Sequence, residues 1–134
     1  MTGQRLDTSV LLTSTRRFKS SLMRATLDEA GLDVVTAAGA RAAIEIAGKT
    51  RFDAFLVDLD GLAATARFLA IELKAVDPCA QLIGLGENRY GAPCDVLLSG
   101  PFSPAALVEL VLASLGLADS RRRRPQVFSL PRIS

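Results

Sequence analysis

The chain has 134 residues, of which 49% are hydrophobic, 22% charged and 5% aromatic, with a formal net charge of +2. This length favours one domain that buries its own core, and two cysteines without any histidine offer no cluster of soft metal ligands. The apolar stretches are shorter than a membrane span, and residues 1–9 contain no apolar run, so we expect a cytoplasmic protein without metal, cofactor or membrane span.

The first half of the chain alternates strand-like and helical patterns. Residues 9–13 are apolar and predict a strand, residues 17–30 show helical spacing, and Gly31 is a typical helix stop. Residues 32–36 predict the second strand, and residues 40–49 the second helix. The apolar stripe predicted to face the core from the first helix consists of Phe18, Leu22, Met23, Leu27 and Ala30.

The second half continues the alternation. Residues 52–57 predict a third strand that ends at Asp58, and residues 62–76 a third helix. Strands follow at 81–85 and 95–98, and a last helix at 104–115.

Strands that are apolar on both faces and separated by helices indicate a parallel sheet with helices on both sides. With right-handed crossovers, the expected fold class is α/β: a doubly wound, flavodoxin-like five-stranded parallel sheet of order 2-1-3-4-5. Residues 86–94, between the fourth and fifth strands, contain two glycines and a proline. They are too few for a full crossover helix, so helix four is expected to be shortened or absent.

Three segments of the chain resemble the receiver domain of two-component response regulators. Residues 52–59 resemble its phospho-acceptor strand, residues 97–104 resemble its fifth-strand motif ending in Lys-Pro-Phe, and residues 29–37 are typical of its first helix and second strand. The resemblance implies a receiver-like domain over residues 1–118. The arginines and two prolines that follow indicate a basic, extended tail over residues 119–134.

The resemblance also identifies a pocket, which in this type of sheet lies at the carboxyl ends of the strands. Asp58 matches the phospho-acceptor, and Ser14 and Thr15 match the two acids that hold Mg²⁺ in a working receiver. Gly86 matches the hydroxyl residue and Gly100 the lysine. Phosphoryl transfer depends almost wholly on positioned charge, so the resemblance implies a degenerate, non-catalytic pocket, that of a pseudo-receiver without a metal.

Asp58 has two interpretations. It is either a phosphorylatable aspartate or a carboxylate that accepts hydrogen bonds from backbone amides at the end of its strand, and the neutral neighbours favour the second. Asp60-Gly61 is interpreted as a turn, and the Gly100–Pro101 peptide is expected to be trans.

The shortened segment after the fourth strand carries a candidate interaction site. Arg89 and Tyr90 lie side by side there, and such a pair is favoured at protein interfaces. The alternative is that Tyr90 packs on its own loop.

The C-terminal tail is the other candidate binding site, because residues 120–134 contain five arginines and no acid, whereas residues 1–119 carry a net charge of −3. Four consecutive arginines are candidates for binding phosphate-containing ligands, and Phe128 lies in a short apolar segment suited to a groove. The alternative is a tail that docks on the acidic surface of its own domain. Nucleic acid is not an expected partner, because no aromatic residues interleave with the arginines. The four consecutive arginines are Arg121, Arg122, Arg123 and Arg124.

Two functional hypotheses follow. The first is a non-enzymatic bacterial signalling adaptor that binds a protein partner, such as a histidine kinase or a regulator, without aspartyl phosphorylation. The second is an effector that binds cyclic di-GMP or another phosphate ligand through the tail, since the tail resembles the arginine-rich extension with which some bacterial receiver-like proteins bind this dinucleotide.

Overall fold

The computed structural model describes residues 6–116, which form five strands and five helices. None of these helices is long and apolar enough to cross a membrane. The candidate residues of the arginine tail and Phe128 lie outside the described part of the chain. In chain order the elements are β1 (Ser9–Thr13), α1 (Arg17–Glu29), β2 (Asp33–Ala37), α2 (Ala40–Lys49), β3 (Ala54–Asp58), α3 (Leu59–Leu62), α4 (Thr65–Val76), β4 (Gln81–Leu85), β5 (Val96–Leu98) and α5 (Pro104–Ser114).

The strands form one parallel sheet of order β2-β1-β3-β4-β5, which confirms the predicted fold class. β3 lies at the centre and is buried at all five positions, as expected for a strand covered on both faces. Since parallel strands end at the same edge of a sheet, β1 and β3 bring Ser14 and Asp58 to one end of the molecule.

Two apolar layers cover the sheet. In β3, Phe55 and Val57 point to the layer formed with α2, α3 and α4, whereas Ala54 and Leu56 point to the layer formed with α1 and α5. Successive side chains of a strand point to opposite faces, so each of these four apolar residues contributes to one core or the other.

The predicted inward face of α1 is partly wrong. Met23 and Leu27 are buried, but Phe18 is 81% and Leu22 55% exposed, and Ser20 is buried instead. Residues 20, 23 and 27 lie on one side of a helix with 3.6 residues per turn, and Phe18 lies on the opposite side. The apolar stripe was therefore broader than the face that the sheet covers.

The predicted third helix, over residues 62–76, is two helices. Directly after β3 the chain turns into the short α3, where the side chain of Asp58 accepts a hydrogen bond from the amide of Gly61. Ala63 then adopts a left-handed conformation with φ of +53°, and α4 begins at Thr65. The carboxylate of Asp58 therefore caps the start of α3, and the positive φ of Ala63 separates α3 from α4.

Residues 86–95, between β4 and β5, contain no helix, so the crossover helix that was expected there to be shortened or absent is absent. The segment is anchored at its end by Asp95, whose Oδ2 accepts hydrogen bonds from Lys74 Nζ and from the amide of Leu82, both at 2.8 Å. In its middle, the side-chain amide of Asn88 bonds both backbone groups of Ala92. A loop held by side chains replaces the helix and leaves Leu97 of β5 44% exposed.

Candidate functional site

The candidate site lies at the carboxyl end of the sheet, where Asp58 ends β3. This carboxylate is 1% exposed, and Ser14, directly after β1, is 3% exposed. Ser14 Oγ donates a hydrogen bond to Asp58 Oδ2 at 2.7 Å, so two of the predicted pocket residues are in direct contact.

Arg16 holds both oxygens of Asp58. Its Nε donates to Oδ2 at 2.9 Å and its Nη2 to Oδ1 at 2.5 Å, and the amide of Gly61 also donates to Oδ1, at 3.3 Å. This bidentate arrangement matches the planar fork of a guanidinium to the two oxygens of a carboxylate. From residues 6–116 Asp58 therefore accepts four hydrogen bonds, of which one comes from a backbone amide and three from side chains.

These contacts determine the ionisation of the pair. Burial raises the pKa of Asp58, but the hydrogen bonds from Arg16, Ser14 and Gly61 outweigh it, and the pKa of this carboxyl lies below its usual value. The hydrogen bond to Asp58 in turn raises the pKa of Arg16. Both groups are therefore charged at neutral pH and form an ion pair.

Sequence reasoning missed Arg16. It precedes α1 in extended backbone, and the amide of Ser20 bonds its carbonyl oxygen at 2.8 Å, so the start of the helix fixes where its side chain emerges. The amide of Arg16 donates a hydrogen bond to Ser14 Oγ at 3.1 Å, so its backbone is also held beside the residue that contacts Asp58. A signal for this pair was present in the sequence. A basic residue lies in the loop after β1, and the predicted neighbouring strand, β3, ends in an acid.

Thr15 is near the site but does not contact Asp58. Its hydroxyl donates to the carbonyl oxygen of Gly61 at 2.9 Å and so joins the loop after β1 to α3. Of the two residues that match the family's metal-binding acids, only Ser14 contacts the carboxylate.

Gly86 lies beside Asp60 rather than beside Asp58. Its φ is +111°, and a Cβ built on it would lie 2.5 Å from Asp60 Oδ2. Asp60 is part of the helical turn α3, and its Oδ1 accepts a hydrogen bond from the amide of Glu87 at 3.2 Å. The residue interpreted as part of a simple turn therefore connects α3 to the end of β4.

Gly100 has φ of +75°, and apart from its chain neighbours no atom of residues 6–116, Asp58 included, lies within 4 Å of the position that its Cβ would take. The Gly100–Pro101 peptide is trans. Both residues line a groove of about 310 Å³ between α1 and the start of α5, where Lys19 Nζ lies 5.5 Å from the ring centroid of Phe102.

Arg89 and Tyr90 lie in the loop between β4 and β5, and both are exposed, Tyr90 by 51%. Tyr90 therefore presents half of its surface to solvent while the loop around it is closed by Asn88 and Ala92.

A receiver domain implies a Mg²⁺ ion beside its phospho-acceptor, and the residues present do not fit it. The neighbours of Asp58 are the hydroxyl of Ser14 and the guanidinium of Arg16, a cation at the oxygens that a metal would need. Within residues 6–116, no group of three or more His, Cys, Asp and Glu side chains is arranged to hold a metal ion.

Neither a protein-family model nor a curated protein matches the sequence. Solved structures do. The chemotaxis protein CheY4 of Vibrio cholerae is 22% identical with a TM-score of 0.70, and the match covers 79% of this chain and 97% of that one. A CheY-like receiver domain protein of Methanospirillum hungatei JF-1 is 17% identical with a TM-score of 0.74, over 85% of this chain and 98% of that one.

A third structure is the receiver domain of a sensor histidine kinase of Pseudomonas aeruginosa PAO1, solved with a magnesium ion coordinated in its active-site cleft. It is 22% identical with a TM-score of 0.72, over 81% of this chain and 98% of that one. At these identities the likeness is one of fold, and it agrees with the strand order and the helix layers described above. This chain therefore has the fold of the response regulator receiver domains, with an arginine paired to the aspartate at the end of its third strand.

Proposed function

We propose that this chain is a non-enzymatic signalling adaptor of bacterial two-component systems, which binds a protein partner without being phosphorylated on Asp58. The observation that carries the proposal is the bidentate pair between Arg16 and Asp58. A phospho-acceptor attacks with a carboxylate oxygen, and here both oxygens are engaged by donors.

The charges around Asp58 support the same conclusion. Transfer of a phosphoryl group needs cations that neutralise its oxygens, supplied in receivers by a metal and a lysine. At the matching positions this chain has Ser14, Thr15 and Gly100, and among residues 6–116 the cation that contacts Asp58 is Arg16, which is paired with the carboxylate itself. Freeing an oxygen of Asp58 would break a pair whose acid is buried, which costs a few kcal/mol.

The partner is proposed to be another signalling protein, a histidine kinase or a regulator. The exposed Arg89 and Tyr90 offer this partner a surface on the loop between β4 and β5. The partner would recognise this surface in a single conformation, because the proposed function involves no phosphorylation of Asp58 that could change it.

Acetyl phosphate with Mg²⁺, followed by intact-mass measurement, tests the proposal. The expected result is no phosphoryl adduct on the full chain, nor on the matched control Asp58→Asn. An acid-labile adduct that forms on the full chain and is absent from Asp58→Asn would overturn it.

The second candidate is an effector for cyclic di-GMP or another phosphate ligand, with Arg121, Arg122, Arg123 and Arg124 as its binding residues. It is supported by the segregation of five arginines and no acid into residues 120–134. Calorimetric titration of cyclic di-GMP at low and physiological salt, into the full chain and a chain ending at Asp119, tests it. Salt-dependent binding that disappears with the tail would support this candidate, and equal binding to both chains would refute the assigned residues.

A further inference from the structure

Helix α4 has two apolar faces. The inner face is buried against the sheet, whereas the outer face is exposed to solvent, with Phe68 54% and Ile71 45% exposed. The inner face consists of Ala66, Leu69, Ala70 and Leu73, and the exposed outer face of Phe68, Ile71 and Ala75 together with Ala64, the residue that directly precedes the helix. A helix on the surface of a domain needs one apolar face, so the second has no partner within residues 6–116.

The outer residues are spaced four, three and four apart. This is the spacing of the two apolar positions of a heptad, which places side chains along one seam and inserts them between those of a facing helix. The alanines at both ends of the seam are small, so a facing helix can approach closely. At 1.5 Å per residue, the twelve residues of α4 offer a seam about 18 Å long.

The charges that border the seam indicate what covers it. Arg67 lies on one side and Glu72 on the other, and within residues 6–116 neither forms an ion pair. Neither has an opposite charge three or four residues away on its own helix. Two copies of α4 packed in parallel would place each Arg67 beside Glu72 of the partner subunit, since these positions are five residues apart across a parallel heptad seam.

An antiparallel pair of the same helices would be disfavoured. In that arrangement the side that carries Arg67 meets the same side of the other copy, where Lys74 is already paired with Asp95, so Arg67 does not reach Glu72 of the partner subunit. The border charges therefore favour parallel packing. They favour a second copy of this chain as the partner, because each copy carries both an Arg67 and a Glu72.

We propose that α4 is a self-association surface, in which two copies pack their α4 helices in parallel about a two-fold axis. Phe68 and Ile71 form the apolar seam, and Arg67 pairs with Glu72 of the partner subunit. A single helix pair is small for an interface, so the dimer forms reversibly and depends on protein concentration. The proposal does not rest on the proposed function, because it uses no residue of the Asp58 site.

Sedimentation velocity of the full chain over a range of concentrations tests the apolar seam. We expect a monomer–dimer equilibrium whose dissociation constant rises about tenfold or more in Phe68→Glu, because a charge would be buried in the seam. The matched control is Phe18→Glu, which places the same charge on an exposed phenylalanine of α1 and leaves association unchanged. Circular dichroism shows whether both variants keep their fold.

Charge exchange tests the orientation. Arg67→Glu and Glu72→Arg are each expected to weaken the dimer about fivefold, because each places like charges across the seam. The double variant Arg67→Glu/Glu72→Arg is expected to restore wild-type affinity. A wild-type chain that stays monomeric at every concentration, a Phe68→Glu variant that associates as wild type, or a double variant that is not restored would each overturn the proposal.

Discussion

The carboxylate of Asp60 occupies the space that a side chain at position 86 would need. A Cβ on Gly86 would lie 2.5 Å from Oδ2 and 2.8 Å from Cγ of Asp60. The position that matches the family's hydroxyl residue is therefore closed by a neighbouring acid, and the backbone there has φ of +111°, which favours glycine.

Gly86→Ser should destabilise the protein by about 1–3 kcal/mol, because serine must adopt a strained backbone and displace the carboxylate of Asp60. Denaturant unfolding measures the loss. Gly91→Ser is the matched control, since its φ of +68° is also left-handed but nothing lies within 4 Å of its Cβ position. A loss at Gly86 no larger than that at Gly91 would contradict the role assigned to Asp60.

Arg16→Ala should destabilise the protein by about 1–3 kcal/mol, because the nearly buried carboxylate of Asp58 loses its cation while Ser14 and Gly61 still hold it. The side chain of Arg16 is 41% exposed, and water screening keeps the loss at this level. The neighbouring Arg17→Ala, which alters an exposed arginine, is the control and should change little.

A double-mutant cycle with Asp58→Asn isolates the pair. We expect the loss caused by Arg16→Ala to be smaller when Asp58 is already asparagine, since an uncharged side chain leaves no buried charge unpaired. Equal losses in both backgrounds would mean that Arg16 stabilises the fold through other contacts.

Stability should fall on acidification. The hydrogen bonds that outweigh burial keep the pKa of Asp58 below its usual value, so the unfolded chain binds a proton at a higher pH than the folded chain does. The stability that Asp58 contributes is complete above its unfolded pKa of about 3.9 and is lost as the pH falls below it towards the folded value. Urea unfolding between neutral pH and pH 3 should show a shallower decline for Asp58→Asn than for wild type.

Thr13→Val should stabilise the protein by about 1 kcal/mol, because the side chain of Thr13 is fully buried and its hydroxyl has no hydrogen-bond partner among the described residues, 6–116. Valine has the same shape without the polar group. Thr36→Val, on the half-buried β2, is the control, with little change expected in thermal or denaturant unfolding. A destabilised Thr13→Val variant would show that the hydroxyl is satisfied in solution.

The predicted apolar face of α1 was only partly right, because Met23 and Leu27 are buried whereas Phe18 and Leu22 are exposed. Helical spacing shows that Phe18 and Leu27 are apolar, but not how wide a strip of the helix the sheet covers, and that width is decided by the neighbouring elements. On α4, the structure shows a second apolar face, which is formed by Phe68 and Ile71 and is exposed to solvent.

The sequence by itself determined the class of fold, because apolar strands, glycine stops and short connections are local properties that follow from backbone sterics and from burial of both sheet faces. It also indicated that residues 86–94 are too few for a full crossover helix, and the structure has no helix there. Only the tertiary structure decided the chemistry of the candidate site. Arg16 and Asp58 are 42 residues apart in the chain, and only the pairing of β1 with β3 brings the loop after one strand to the acid that ends the other.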